Sequence, residues 1–167
     1  MINTVDFSTI AAWFTAIVAL GSLCWSVRTQ NIIQKNEVKR TTIDAFNRLQ
    51  SEVLDKLVLV DKENAELVVE ERADNEACKQ AYNDYKTLIA RLEHFAVGVE
   101  QGAYDLDMVD KLAGEHLIYL LPKIKPIIDA ANEHLQSDRH YQSYIGLVEQ
   151  LKKRHPSVNT EYKQGTY

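Results

Sequence analysis

Three of the five histidines directly follow a glutamate, in Glu93-His94, Glu115-His116 and Glu133-His134. A carboxylate beside an imidazole is raw material for metal ligation and proton transfer, so these pairs are the first place to look for chemistry. Their spacing denies it. Adjacent residues on a helix point about 100° apart, so the members of a pair do not converge on one ion. Helical di-metal sites use Glu-x-x-His and zinc proteases His-Glu-x-x-His, and the chain contains neither. His94 borders an apolar stripe and reads as a hydrogen-bonded rim residue.

Nucleophilic catalysis finds no more support. There is no Gly-x-Ser-x-Gly elbow, and neither Cys24 nor Cys78 sits in a recognisable pattern with a histidine. The six glycines are scattered, whereas a phosphate cradle clusters them. Arg91 and His94 are too close for the Arg/His spacing of helical ribonucleases, and Arg139-His140 and Arg154-His155 are adjacent. The acidic stretch Asp61–Glu76 lacks the glycine turn of a calcium loop, and reads as a solvated helix end or turn. The expectation is a non-enzymatic chain with no catalytic, metal or cofactor-binding residue.

The elements around these residues say more. From Phe7 to Val27 the chain carries no charge, and Asp6 and Arg28 bound the run. About 20 apolar residues in a helix suffice to cross a bilayer core. Between Arg28 and Arg40 the basic residues Arg28, Lys35, Lys39 and Arg40 face one acid, Glu37. Lys and Arg near a span stay on the cytoplasmic side, and Met1–Asp6 has neither, so the N-terminus is expected outside. The same four side chains suit anionic headgroups, at about 1 kcal/mol each. A cleaved signal peptide would carry its positive charge before the apolar run, the reverse of this order. With Cys24 in the span and Cys78 in the aqueous part, no disulfide framework arises. From Thr41 onward the net charge is -7, which argues against nucleic acid as a partner.

The remaining pattern is helical. Ile32, Ile43, Phe46, Leu49, Val53, Leu57 and Val60 mark one face of a helix that lacks Gly and Pro. Ala81, Tyr85, Leu88, Leu92, Phe95 and Val99 recur in steps of four and three, predicting a core-facing stripe that ends at Gly102. Asp105 or Asp107 starts the next helix, and Pro122 and Pro126 predict a kink near Leu121. Ser137 or Asp138 is expected to cap a last helix carrying Tyr141, Tyr144, Ile145, Val148 and Leu151. The predicted class is all-α: a single N-terminal transmembrane helix, then a small cytoplasmic helical bundle. Its expected parts are an external tail 1–6, a span 7–27, a juxtamembrane helix 28–60, a bundle 61–155 and a disordered tail 156–167.

Two residues stand out within the stripe. Gly98 costs about 1 kcal/mol of helix stability relative to Ala, and is expected to admit another helix, the one ending near Ile128. Glu93, between Leu92 and Phe95, reads either as a part-buried carboxylate bonded to a neighbouring helix end or as a solvent-facing residue. The segment holding them, with Leu92, Glu93, Ala96, Val97, Gly98 and Val99, then Gly102 to Asp105, then Lys125-Pro126, resembles a family of short bacterial and prophage proteins. That family is classed only as a domain of unknown function. The resemblance implies one N-terminal membrane helix, a small helical domain and a bacterial or phage setting, and the expected location is the bacterial inner membrane. It implies no activity.

Within the span, Ser8, Ala12, Thr15, Ala19, Ser22 and Ser26 recur in steps of four and three. Membrane helices associate through close backbone approach and hydroxyl hydrogen bonds, and a small-residue seam offers both. Trp25 is placed to fix the depth of the span. The sequence therefore predicts a homo-oligomer built along this seam. Its function is expected to be that of a membrane-held interaction module meeting a cytoplasmic or membrane protein. The alternatives are a prophage or defence effector that perturbs the membrane, and an enzyme whose site leaves no motif.

Overall fold

A computed structural model describes residues 7–135 and 140–157, with side chains described from Trp13 onward apart from Ala16, His134 and Leu135. Six α-helices and one π-turn account for them: α1 Phe7–Leu49, the π-turn Gln50–Leu54, α2 Asp55–Leu57, α3 Lys62–Glu71, α4 Glu76–Glu100, α5 Leu106–Leu135 and α6 Gln142–Arg154. No strand occurs among the described residues. The chain divides into two compact units, Met1–Val38 and Lys39–Tyr167.

The second unit is a helical bundle. In it α3 packs on α4 and α5, and α6 packs on the other side against the same two helices. The middle of α5 is apolar nearly all round, as a helix covered by several neighbours must be. Leu117, Ile118, Leu120, Ile124, Ile127 and Ile128 are all buried. Phe46, Leu49, Val53, Leu57 and Val60 join this core, so residues 39–60 pack with 61–155 and the bundle starts earlier than its expected boundary. Ile32 and Ile43, read as part of the same apolar face, are exposed. The single helix expected over 28–60 is interrupted by the π-turn, whose wider winding buries the adjacent Val53 and Leu54 together.

Local chemistry sets the helix ends. Asn75 caps α4, its Oδ1 accepting from the N–H groups of Ala77 at 3.0 Å and Cys78 at 3.4 Å. Gly102 stops α4 in the left-handed region, φ 74°, and its N–H reaches back to the Val99 carbonyl. Asp105 starts α5 by accepting from the Met108 N–H at 2.8 Å, while its own N–H donates to Thr42 Oγ1 at 2.8 Å. That second bond fastens α5 to the buried, C-terminal part of α1.

Two expectations need correction. The break in α5 lies at Ala113, with φ -156° and ψ 19°, not near Leu121. Pro122 and Pro126 stay within helical backbone, losing only their own N–H bonds, and the break falls beside Gly114, where a Cβ would press on the Asp110 carboxylate. The core face of α4 is also broader than the expected stripe. Tyr82, Ile89, Leu92, Phe95 and Ala96 are buried, whereas Ala81, Tyr85, Leu88 and Val99 are half-buried. The helix is clamped between neighbours on two sides, so its buried arc is broader than one heptad seam.

Tyr144, fully buried on α6, donates its phenol to the Leu117 carbonyl at 3.1 Å. Burial pushes this phenol far above the ordinary tyrosine range, because the phenolate would have to form without water. An acid whose folded pKa is raised contributes stability that is complete below about pH 10 and declines as pH rises further. Tyr144→Phe should cost about 1 kcal/mol at pH 7 through the lost hydrogen bond. By pH 11 the difference should have shrunk by about 1.4 kcal/mol and reversed sign, measured by urea unfolding.

Candidate functional site

Among its described residues, the first unit contains only helix. Along α1 the described side chains from Trp13 to Val27 are all exposed, and among them Trp13, Phe14, Ile17, Val18, Leu20, Leu23, Trp25 and Val27 are large and apolar. Their exposure runs from 52% at Val27 to 74% at Trp25, against 9% or less for the bundle core. Contiguous apolar surface on this scale marks a place where lipid or protein sits. Among the described residues, no helix is both long and apolar enough to cross a membrane. The described side chains begin at Trp13 and so take in only part of the apolar run. The expected span therefore finds no support among the described residues.

Helix geometry gives α1 two faces. At about 100° per residue, Ser8, Ala12, Thr15, Ala19, Ser22 and Ser26 fall within an arc of about 80°. The side chains of Ser8 and Ala12 lie outside the described residues, and Thr15, Ala19, Ser22 and Ser26 are exposed. The Ser22 hydroxyl already donates to the Ala19 carbonyl at 2.8 Å, and Thr29 likewise to Trp25 at 2.9 Å. A hydroxyl bonded to its own helix costs little in an apolar setting, so the seam offers close approach more than spare donors. Arg28, Lys35 and Lys39 gather on the opposite face of α1, whereas Arg40 falls at the edge of the seam's own arc, in line with Ser22. All four are exposed. Lys39 contributes to holding the Asp107 carboxyl below its usual range, after the larger effect of Arg154.

In the second unit, α4 presents Glu93 to the start of α6. Its Oε1 accepts from the Ser143 N–H at 3.0 Å and its Oε2 from the Tyr144 N–H at 2.8 Å. These are the second and third residues of α6, whose first-turn N–H groups have no partner within the helix. Tyr141 precedes α6 in the left-handed region, φ 66°, and offers no side-chain cap. Ser137 and Asp138 lie outside the described residues, and the helix they were expected to cap begins later and is capped from α4. Glu100, two turns along α4, accepts from Ser143 Oγ at 2.9 Å. Of the two readings of Glu93, the part-buried carboxylate at a helix end is the one the structure has. Gly98 does not admit another helix. A Cβ there would sit 2.6 Å from Tyr104 Cδ2, so the glycine makes room for the Tyr104 ring, which stacks on Phe95 with centroids 5.1 Å apart.

Sequence reasoning missed a second polar cluster. Across the bend of α5, His155 Nε2 lies 2.6 Å from Asp110 Oδ1, and Arg154 reaches Asp107 at 2.7 Å and Asp110 at 3.4 Å. The Arg154 hydrogen bond holds the exposed Asp107 carboxyl below the usual range. Gly114 leaves the space Asp110 and His155 occupy. Partners 45 residues apart leave no spacing signal, and the adjacent Arg154-His155 pair gave no reason to look. The cluster pins the end of α6 to α5, and the hydrogen bonds that describe it join only these side chains. Of the Glu-His pairs, His94, Glu115 and His116 are exposed, and the His134 side chain lies outside the described residues. Among the described residues, no three His, Cys, Asp or Glu side chains are grouped to hold a metal. Partial burial, then a hydrogen bond to Glu71, pushes the Cys78 thiol up, away from the reactive thiolate.

Glu93→Ala should remove both acceptors and cost about 2–3 kcal/mol, hydrogen bonds to a charged group being stronger than neutral ones. Glu93→Gln keeps one acceptor and should cost less. Amide exchange at Ser143 and Tyr144 should accelerate in both variants well before that of Leu151. Uniform acceleration throughout the bundle would instead mean that Glu93 has no local role.

A family model described as "Domain of unknown function (DUF4760)" matches residues 5–151. No curated protein matches the chain. No solved structure matches it either.

Proposed function

The chain belongs to the DUF4760 family, and we propose that it is a membrane-anchored helical interaction module that self-associates. The observation that carries this reading is the exposed apolar surface of α1, set beside a bundle whose large apolar side chains are mostly buried. A helix that leaves so many large apolar side chains uncovered has no stable resting place in water. The charge-free run Phe7–Val27 has the length for a bilayer, and Trp25 and the basic residues after it suit an interface. On this reading the anchor lies in a bacterial inner membrane with its N-terminus outside. Lipid is then its first partner, a second copy along the small-residue seam its second, and a cytoplasmic or membrane protein meets the bundle. Nothing in the bundle nominates a reaction, and the reading is non-enzymatic.

Fractionation should place the full chain in the membrane, resistant to carbonate extraction, and deletion of residues 7–27 should release it. In intact cells, Thr160→Cys should resist an impermeant thiol reagent that labels Asn3→Cys. Labelling at position 160 overturns the orientation. Ala12→Leu with Ala19→Leu raises apolarity while filling the seam, so insertion should persist and the oligomer weaken at least tenfold. An oligomer unchanged in crosslinking and mass measurement removes the seam from the proposal.

A further inference from the structure

The outward face of α3 is a charged helix surface with no partner among the described residues. Ala65 is buried and Val68 and Val69 are half-buried, which turns Glu63, Leu67 and Glu70 to solvent in steps of four and three. Leu67 is 47% exposed between the two carboxylates. Neither Glu63 nor Glu70 has an ion pair with a described residue, whereas the neighbouring Glu66 is held by Lys62 at 3.5 Å. The basic face of α1 has the same design with the sign inverted. Arg28, Ile32 and Lys35 follow in steps of four and three, Ile32 is 53% exposed, and both cations lack an ion-pair partner among the described residues. Each stripe spans about 10 Å of helix and places one apolar side chain between two like charges.

We infer that the Glu63–Leu67–Glu70 stripe of one copy receives the Arg28–Ile32–Lys35 stripe of a second copy. Complementary charge and matched spacing select this occupant, since the apolar residues meet when the two ion pairs form. The basic stripe lies opposite the small-residue seam, so an association along the seam leaves it free. Exposed ion pairs are individually weak, and this contact forms between copies already concentrated together, where effective concentrations reach about millimolar. The inference thus rests on the self-association proposed above, and its test reads the two interfaces separately.

Two differently tagged full-length chains carry Cys24→Ser and Cys78→Ser. One also carries Ile32→Cys and the other Leu67→Cys, and oxidation is performed in isolated membranes. A disulfide needs Cα atoms within about 7 Å, so a mixed disulfide reports the contact itself. The expected result is a mixed disulfide whose yield falls at least fivefold when the Leu67→Cys chain also carries Glu63→Lys and Glu70→Lys. Arg28→Glu with Lys35→Glu on the Ile32→Cys chain should restore it. All four positions are exposed, and this rescue separates lost contact from lost folding. No mixed disulfide overturns the inference. So does a yield indifferent to reversal at Glu63 and Glu70, the result expected if the basic stripe binds anionic headgroups instead. A chain bearing Ala19→Cys in the same background reads the seam. An Ala19 disulfide without the mixed one overturns this inference alone, whereas the mixed one without it sustains this contact and removes the seam.

Discussion

The bundle depends on a helix start that its own sequence does not supply. The first turn of α6 leaves its N–H groups open, the residue before it is in a left-handed conformation, and the carboxylate that closes it comes from Glu93, half a hundred residues earlier. A part-buried carboxylate needs donors, and an uncapped helix start needs acceptors. Each would be costly alone. Their pairing fixes where α6 lies along α4, and from that position Tyr144 reaches α5 and Arg154 and His155 reach Asp107 and Asp110. One bidentate contact near the start of α6, a phenol in its first turn and an ionic cluster at its end therefore act in series. Moving α6 by one residue would break all three.

What the sequence displayed well was whatever repeats locally. The helical class, the acid that starts α5 and the glycine that ends α4 all come from short-range rules, and the structure has them at Asp105 and Gly102. What it displayed poorly was whatever depends on distant neighbours. The buried arc of α4 is set by helices packing on two sides, so a seam drawn through Tyr85 and Leu88 was too narrow. The bend in α5 lies at Ala113, beside Gly114 and the Asp110–His155 contact, and not at the prolines. Gly98 was recognised as a place of close approach, but the approaching group is Tyr104, six residues on, instead of another helix. Glu93 was legible because an acid flanked by core residues demands a donor, although nothing in the sequence named Ser143 and Tyr144.

The two units obey opposite rules. In the bundle nearly every long apolar side chain is covered and the charges lie outside. In the part of α1 before Lys39 the large apolar side chains described are the surface. Water favours the first arrangement and penalises the second at about 25 cal/mol per Å² of apolar area. The same composition of Leu, Ile, Val and Phe therefore carries two meanings, and the pattern of charge around it separates them. α4 carries charged residues among its apolar ones and α6 ends on three bases, whereas Phe7–Val27 has no charge at all.

The long separation between Glu93 and its partners also bears on how the chain matures. α6 is the last described helix to leave the ribosome, and until it arrives Glu93 has no donors from it and the faces of α4 and α5 that it covers stay open. Contacts between distant segments form late, and uncovered core surface in the interval invites wrong association. The apolar α1 emerges first, long before the bundle can close. Synthesis thus presents two apolar surfaces in succession, and the one on α4 and α5 is covered only by the arrival of α6.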